Sequence, residues 1–286
     1  MRDDFAIFIL SYNRAKTIST LRTLKKANYT GKYYIVVSDD DPQLDIYKEL
    51  YKDILFVFNK HKVSNLFDMY DVNGNEKCVV YARNYCFNLA KELGLTYFAE
   101  FDDDYVELAY RYPQDGKLKI CNVKEFDDIV DICIEYLENS GALSIALAQH
   151  GDFIGGVQNK FLKERVKRKA MNTFFCKTNR LFTFDGRINE DVNAYINYGK
   201  IGGLFLTFCD VSIKQKHTQQ NSGGLTDIYN DLGTYVKSFY TILNNPSCVK
   251  INVMGDKYLR IHHRVSWNNA VPKIISDKYK KVKPRI

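Results

Sequence analysis

Three consecutive carboxylates, Asp102, Asp103 and Asp104, follow an apolar and aromatic segment that begins at Leu95. The segment is typical of a buried strand, along which successive side chains point in alternate directions. We therefore expect Asp102 and Asp104 to point the same way while Asp103 points elsewhere. Two convergent carboxylates form a hard oxygen site that suits Mg²⁺ or Mn²⁺, with phosphate oxygens and water completing the coordination shell. In isolation, three aspartates after a strand are more often a polar turn than a metal site.

Three more polar groups follow along the chain in a fixed order. Gly155 and Gly156 allow the backbone to approach a ligand closely, or simply form a tight turn. Glu190 and Asp191 begin a predicted helix, where negative charge is stabilised with or without a catalytic role. His217 lies in a polar, glycine-containing loop, where a histidine is either a ligand or a solvated side chain. Each group alone leaves both interpretations open.

The elements that would position these groups alternate between strands and helices from the start of the chain. We predict strands over residues 5–10, 33–37 and 54–58, separated by helices over 17–27 and 43–52. This β-α-β-α-β order is the signature of a parallel sheet with right-handed crossovers. Polar residues follow the carboxyl ends of these strands, where open α/β sheets bind their ligands.

The second half of the chain is predicted to be mixed rather than strictly alternating. A helix over residues 78–93 buries a stripe that excludes Arg83 and Asn84. Asn122 and Glu125 form a predicted capping pair for a helix that ends near residue 139. The remaining predicted elements are strands over 143–147, 173–177, 204–208 and 211–214, a helix over 226–243, and a β pair over 249–253 and 258–263. The predicted fold class is α/β, with a mostly parallel central sheet flanked by helices.

Composition excludes several classes of protein. With 286 residues, 45% of them hydrophobic, the chain can bury a full core and is not predicted to be disordered. Seven cysteines without a Cys-x-x-Cys pair predict reduced thiols, and no apolar run approaches the length of a membrane-spanning helix. The N-terminus lacks a secretory pattern. We therefore expect a cytoplasmic protein that does not insert into a membrane.

The positive charge is unevenly distributed. Lys and Arg exceed Asp and Glu by 41 − 34 = 7, and residues 160–169 carry six positive charges against one negative charge. The C-terminal tail, residues 278–286, holds five basic residues and no acidic one. Such segments are either solvated surface or contacts for a polyanion such as DNA.

The order Asp-x-Asp, glycine loop, x-Glu-Asp, histidine resembles that of the GT-A glycosyltransferases. The first strand into Ser-Tyr-Asn-Arg, the Ser-Asp-Asp-Asp after the second strand and the Ala-Arg-Asn run at residues 82–84 also resemble that fold. The resemblance implies one GT-A-like domain over residues 1–286. Its parts would be a nucleotide-sugar-binding half (about 1–105), an acceptor and catalytic half (about 106–225), and a C-terminal helix, β pair and basic tail (226–286).

Within the GT-A enzymes, the chain is most similar to the phage TET-associated glycosyltransferases. That group is linked to sugar transfer onto hydroxymethylated pyrimidines in DNA. The similarity covers about residues 5–224 and rests on residues 9–14, 101–104, 171–173 and 189–191. It implies a nucleotide-sugar donor, expected to be a UDP-sugar, a DNA acceptor, and the host cytoplasm as the compartment of a phage-encoded enzyme. No obligate protein partner is evident.

The resemblance also implies roles for individual residues. Asp102, Asp104 and His217 would hold Mn²⁺ or Mg²⁺; Asp191 would act as general base, with Glu190 orienting it or the acceptor. If Asp191 faces the leaving group, the anomeric centre inverts, although retaining enzymes share most of these motifs. The expected nucleotide-sugar contacts are Ser11, Tyr12, Asn13, Arg14, Asp39, Asp40, Arg83 and Asp103. The expected acceptor contacts are Gly155, Gly156, Lys163, Arg165, Lys167, Arg168 and Lys169.

Three other functions fit some of these features. A glycosyltransferase for a polysaccharide or another small acceptor would share the motifs, and the basic tail would then touch anionic lipid. A nucleotidyltransferase also uses aspartate pairs and Mg²⁺, but usually has a glycine-rich loop after its first strand, where this chain has Ser11–Arg14. A non-catalytic DNA- or metal-binding module would not need both Glu190 and Asp191.

Overall fold

A computed structural model describes residues 1–70, 78–159, 172–216, 235–254 and 259–270. The strands are β1 (Phe5–Leu10), β2 (Lys32–Ser38), β3 (Leu55–Phe58), β4 (Tyr97–Asp102), β5 (Tyr105–Gln114), β6 (Lys117–Asn122), β7 (Ser144–Gln149), β8 (Phe174–Lys177), β9 (Phe205–Gln215), β10 (Val249–Met254) and β11 (Arg260–Val265). The α-helices in these ranges are α1 (Ser19–Lys26), α2 (Leu44–Tyr51), α3 (Lys60–Ser64), α4 (Val80–Glu92), α5 (Phe126–Ser140), α6 (Glu190–Lys200) and α7 (Tyr235–Asn244).

The first four strands form the parallel half of one nine-stranded sheet, in the order β3-β2-β1-β4. All six residues of β1 are buried, because helices cover both faces of the sheet there. A continuous apolar run, rather than an alternating one, is what such a central parallel strand requires. The predicted β-α-β-α-β arrangement is confirmed, with strand ends that shift by one residue at most.

The sheet continues as β8-β7-β9-β5-β6 and becomes mixed. β8 is antiparallel to both β4 and β7, and β7 is parallel to β9. As a result β4, β7 and β9 run in one direction and end at the same edge of the sheet, which we call the carboxyl edge. This edge brings Asp102, Gln149 and Gln215 to one side of the molecule.

Two features of the mixed half differ from the sequence prediction. The hairpin β5–β6 was not predicted, although it pairs along its whole length and supplies the outer edge of the sheet. The two predicted strands over 204–208 and 211–214 are one strand, β9, because a bulge between Phe208 and Ser212 absorbs the polar residue Asp210 without ending the pairing with β7.

The predicted buried stripe of α5 is confirmed, since its six apolar members are the buried residues of that helix. The predicted capping pair is wrong: neither Asn122 nor Glu125 caps α5 through its side chain. Asn122 ends β6, and the Phe126 amide instead donates to the Ala27 carbonyl at 3.0 Å, so the backbone after α1 satisfies the helix end.

The predicted exposure of one face of α4 is also wrong. Arg83 and Asn84 are 2% and 5% exposed. Both sides of α4 are covered, because the helix lies between the sheet and the segment that leads into α6. Each of these polar side chains is therefore obliged to find partners inside the protein.

The C-terminal elements pack beside the start of α6. The β pair β10–β11 is confirmed, and Ser238 of α7 donates to the Ile261 carbonyl at 3.1 Å. The predicted helix over 226–243 is described from Tyr235 onward, and its first part lies outside the described residues. All seven cysteines are free thiols. In the parts of the chain that the structure describes, no helix is both long enough and apolar enough to span a bilayer.

Candidate active site

The three-aspartate turn sits at the carboxyl edge and is held by the backbone and by α1. Thr20 donates its hydroxyl to the Asp102 carbonyl at 2.6 Å and its amide to the Asp103 carbonyl at 3.2 Å. The Lys216 amide donates to the Asp104 carbonyl at 3.2 Å. Every peptide carbonyl of the turn is thus fixed from outside, which sets the directions of the three carboxylates.

Asp102 and Asp104 face the same amide group. Gln215 Nε2 donates to Asp102 Oδ2 at 3.0 Å and to Asp104 Oδ1 at 3.3 Å. Asn172 Nδ2 donates to Gln215 Oε1 at 2.6 Å, and this bond fixes which end of the amide faces the acids. Sequence reasoning missed Gln215, which has no local signal because its partners lie more than 100 residues away.

Asp103 points away from this pair and is 3% exposed. It accepts hydrogen bonds from Ser11 Oγ at 2.6 Å and from Arg14 Nη1 at 2.8 Å. The Tyr47 hydroxyl lies 2.7 Å from Ser11 Oγ and accepts from the Arg14 amide at 3.0 Å. Asp103, Ser11 and Arg14 therefore hold one another and fix the loop that follows β1.

The rest of that loop is held by Asp41, which sequence reasoning did not single out. Asp41 is 5% exposed and accepts from the amides of Asn13 and Gln43 at 2.8 Å each. Asn13 adopts a left-handed conformation, with φ of 57°, that asparagine tolerates better than most residues. Tyr12 is half-buried beside this turn, where burial and the charges of Asp40 and Asp41 raise its pKa.

Asp39 and Asp40 are exposed at the end of β2, one strand further from the carboxylate pair. Asp39 accepts from Asn59 Nδ2 at 2.7 Å and from the Lys60 amide at 3.0 Å. Asp40 pairs with the Lys60 ammonium group at 2.7 Å. Both acids thus anchor the start of α3 while remaining partly open to solvent.

Arg83 is buried beneath the carboxylate pair. Its Nη2 lies 3.1 Å from Asp102 Oδ1, its Nη1 3.3 Å from Glu100 Oε2, and its Nε 3.2 Å from Glu190 Oε1. The sequence prediction of a direct donor contact does not anticipate this environment. The guanidinium group joins three acids that are separated by up to 107 positions in the sequence.

Glu190 and Asp191 begin α6 at the position reached by Arg83. Asn189, just before them, is left-handed with φ of 56° and donates to the Lys237 carbonyl at 2.6 Å and to Thr241 Oγ1 at 2.8 Å. These bonds fix the entry into α6 against α7. Glu190 is 8% exposed, whereas Asp191 is half-buried and accepts from the Val192 amide at 2.8 Å.

The cluster carries more negative than positive charge. Around Arg83 lie Glu100, Asp102 and Glu190, with Asp104 beside Asp102. Burial raises the pKa of Glu100 to about 8 against the opposing effect of Arg83. Burial also raises the pKa values of Asp102, Asp104 and Glu190, and the neighbouring carboxylates raise them further. A bound cation would relieve this repulsion.

The glycine loop follows β7 at the same edge. Gly155 and Gly156 have φ of 97° and 59°, a region that glycine adopts without strain. The base of the loop is fixed, because Asp152 accepts from the Gln149 amide at 2.8 Å and Arg111 donates to His150 Nδ1 at 2.6 Å. His217 and the basic run that contains Lys163, Arg165, Lys167, Arg168 and Lys169 lie outside the described residues.

The residues present fit a small divalent cation that the substrate helps to bind. Mg²⁺ is commonly held by one or two carboxylates and by substrate phosphates. Asp102 and Asp104 supply two such groups on one side of the turn. Within the described ranges, no three His, Cys, Asp or Glu side chains form a group that would hold a metal. The protein's contribution is therefore a carboxylate pair rather than a closed cage.

Sequence and structure comparisons assign the class. The chain is a glycosyltransferase. It belongs to the TET-associated glycosyltransferase family, whose sequence profile matches residues 5–224. Among solved structures, it is similar to glucosyl-3-phosphoglycerate synthase from Mycobacterium tuberculosis in complex with Mg²⁺ and UDP, at 9% identity and a TM-score of 0.43, over 91% of this chain and 87% of that chain. Comparison with curated proteins finds no match. The family match confirms the resemblance based on the motifs.

Proposed function

We propose that this glycosyltransferase moves a sugar from a nucleotide-sugar, a UDP-sugar by preference, onto a hydroxymethylated pyrimidine in DNA, in the hypermodification of phage DNA. The observation that carries the proposal is the carboxyl-edge cluster: Asp102 and Asp104 converge on one amide, and Glu190 is joined to Asp102 through Arg83. Family membership supports the reaction type.

Asp102 and Asp104 would hold Mn²⁺ or Mg²⁺ together with the diphosphate of the donor. The metal would neutralise the charge that builds on the departing nucleotide. Gln215 donates to the same two oxygens that a cation would use, so it would have to release them when the cation binds. His217, two residues further on, is the proposed third ligand.

Asp191 is the proposed general base. It is half-buried at the start of α6, next to a helix N-terminus that stabilises its ionised form. Glu190 is committed to Arg83, which leaves Asp191 as the acid of this pair that is open to an acceptor hydroxyl. If Asp191 removes the acceptor proton on the face opposite the nucleotide, the anomeric centre inverts.

The nucleotide part of the donor would lie over the loop after β1. Ser11, Asp103 and Arg14 form a fixed floor, and Tyr12 and Asn13 lie above it. Arg14 Nε is buried and has no partner among the described residues, so it can serve a further acceptor such as a donor phosphate. The exposed Asp39 and Asp40 lie at the end of β2, in reach of a ribose or base.

DNA is proposed as the acceptor from the family membership and from the basic run over residues 160–169. A base in duplex DNA would reach this site most readily as a flipped-out nucleotide, at an unstacking cost of a few kcal/mol. Glycines at the end of β7 would border the acceptor side.

The decisive experiment is incubation of the protein with DNA that contains 5-hydroxymethylcytosine, Mn²⁺ and a panel of UDP-sugars, followed by nucleoside mass spectrometry. A new mass of one sugar on hydroxymethylcytosine, lost with EDTA and with Asp102→Asn, is the expected result. Turnover of a UDP-sugar onto an oligosaccharide acceptor, with no product on DNA, would favour the polysaccharide alternative. Unmodified DNA is the matched control for the acceptor hydroxyl.

A further inference from the structure

Arg83 makes one contact with each of three different acids. Its side chain is 2% exposed, and each of its three nitrogens faces a separate carboxylate at 3.1–3.3 Å. The flat faces of the guanidinium group are also covered, because Arg83 Cζ lies 4.9 Å from the ring centre of Phe174 and 5.7 Å from that of Phe184. A buried arginine with every nitrogen used and both faces packed has little freedom to move.

Two of the three acids belong to different parts of the proposed reaction. Asp102 ends β4 on the donor side, and Glu190 begins α6 on the acceptor side. Glu100 points into the core one turn of the strand earlier, and its Oε1 has no hydrogen-bond partner among the described residues. It therefore serves Arg83 rather than a ligand.

Asn84 strengthens the same connection from the next position of α4. It donates to the Phe184 carbonyl and accepts from the Phe184 amide, both at 2.9 Å. The segment after Phe184 runs directly into α6. Consecutive residues of α4 thus hold the end of β4 and the approach to α6 in one fixed arrangement.

We propose that Arg83 is a positioning residue that fixes Glu190, and with it Asp191, relative to the carboxylate pair Asp102 and Asp104. This inference rests on the proposed function. Arg83 does not touch the donor; it sets the spacing between the side that holds the leaving group and the side that activates the acceptor. Misplacement of reacting groups by about 1 Å can lower a rate by about 10²-fold, so the spacing matters to turnover more than to binding.

The planar fork is the property that the proposal requires, since charge alone would not fix three directions. Lysine keeps the positive charge but is a point donor on a flexible stem, and it cannot face three acids in one plane. Arg83→Lys therefore separates geometry from charge. The matched control is Arg180→Lys at the opposite edge of the sheet, where Arg180 also makes three polar contacts, to the carbonyls of Leu137 and Ala142 and to Glu138.

Steady-state kinetics with UDP-glucose, or whichever UDP-sugar the parent transfers, and hydroxymethylcytosine DNA test the proposal. Arg83→Lys should lower kcat about 10–100-fold and leave the donor KM within about threefold, whereas Arg180→Lys should change neither. In metal-free protein, amide hydrogen exchange at the first turn of α6 should rise in Arg83→Lys alone. Unchanged kcat in a folded Arg83→Lys protein would overturn the proposal, as would a loss confined to KM.

A double-mutant cycle distinguishes positioning through Glu190 from general loosening. In a Glu190→Gln background, Arg83→Lys should cost less than about threefold in kcat, because the residue that it positions is already changed. Full additivity would overturn the proposal. If Arg83→Lys is too unstable to assay, the same comparison is made between Glu100→Gln and Arg83→Lys/Glu100→Gln, which removes one buried acid. Failure of the parent to transfer sugar would instead refute the proposed function.

Discussion

The same substitution at adjacent aspartates should have opposite effects. Asp103→Asn should destabilise the protein without changing metal binding, and Asp104→Asn should abolish Mn²⁺-dependent donor binding without destabilising the protein. The reason is the alternation of side chains in the turn: Asp103 faces Ser11 and Arg14, whereas Asp104 faces Asp102 and Gln215.

The magnitude for Asp103 follows from its two bonds. An asparagine can still accept from Arg14 and exchange a hydrogen bond with Ser11, so the loss is that of the charged pair. Breaking a buried ion pair costs about 3–5 kcal/mol, and a hydrogen bond to a charged group contributes about 1.5–3 kcal/mol. Because the Arg14 side chain is 24% exposed, we expect the lower end, about 2 kcal/mol.

The expected change at Asp104 has the other sign or none. Burial and repulsion by Asp103 raise the pKa of Asp104, so the folded protein gains nothing from its ionised form. Removal of that charge should change the free energy of unfolding by less than about 0.5 kcal/mol, or increase it.

Urea unfolding and thermal melting measure the first effect, and calorimetric titration of UDP-glucose with Mn²⁺ measures the second. A loss of about 2 kcal/mol corresponds to a fall in Tm of roughly 4–8 °C for a chain of this size. Equal melting temperatures for the two variants would refute the alternation argument. Retained donor binding by Asp104→Asn would refute the metal assignment alone.

Three further predictions concern the reaction. Asp191→Asn should lower turnover about 10²–10⁴-fold while the donor Kd is unchanged in calorimetry; near-normal turnover would move the base to Glu190. Gln215→Leu should retain Mn²⁺ binding or strengthen it, measured by electron paramagnetic resonance, because the amide competes for the metal's oxygens; complete loss would make Gln215 a required part of the site. Charge reversal of all three basic residues over 167–169 should weaken DNA binding and reduce its salt dependence, by a slope of about 0.9 per lost phosphate contact, in filter binding across a salt series, with UDP-sugar hydrolysis unchanged; an unaltered slope would mean that the run is solvated surface.

The sequence by itself determined the elements whose patterns are local. Six consecutive apolar residues predicted β1, and the stripe from Phe126 to Leu137 predicted the buried face of α5, because strand and helix periods depend only on neighbouring residues. The alternation of Asp102, Asp103 and Asp104 was available for the same reason. The order of the motifs was enough to predict the family, since family membership is a property of the sequence.

The tertiary structure alone decided which distant residues complete the site. Gln215 reaches Asp102 across 113 positions, and Arg83 reaches Glu190 across 107, so no local period contains either contact. The helix pattern predicted an exposed Arg83 because a one-sided stripe assumes one covered face, whereas α4 is covered on both. A buried charge is stable only where its partners meet, and the sheet order of β4, with α6 folded back beside it, decides where they meet.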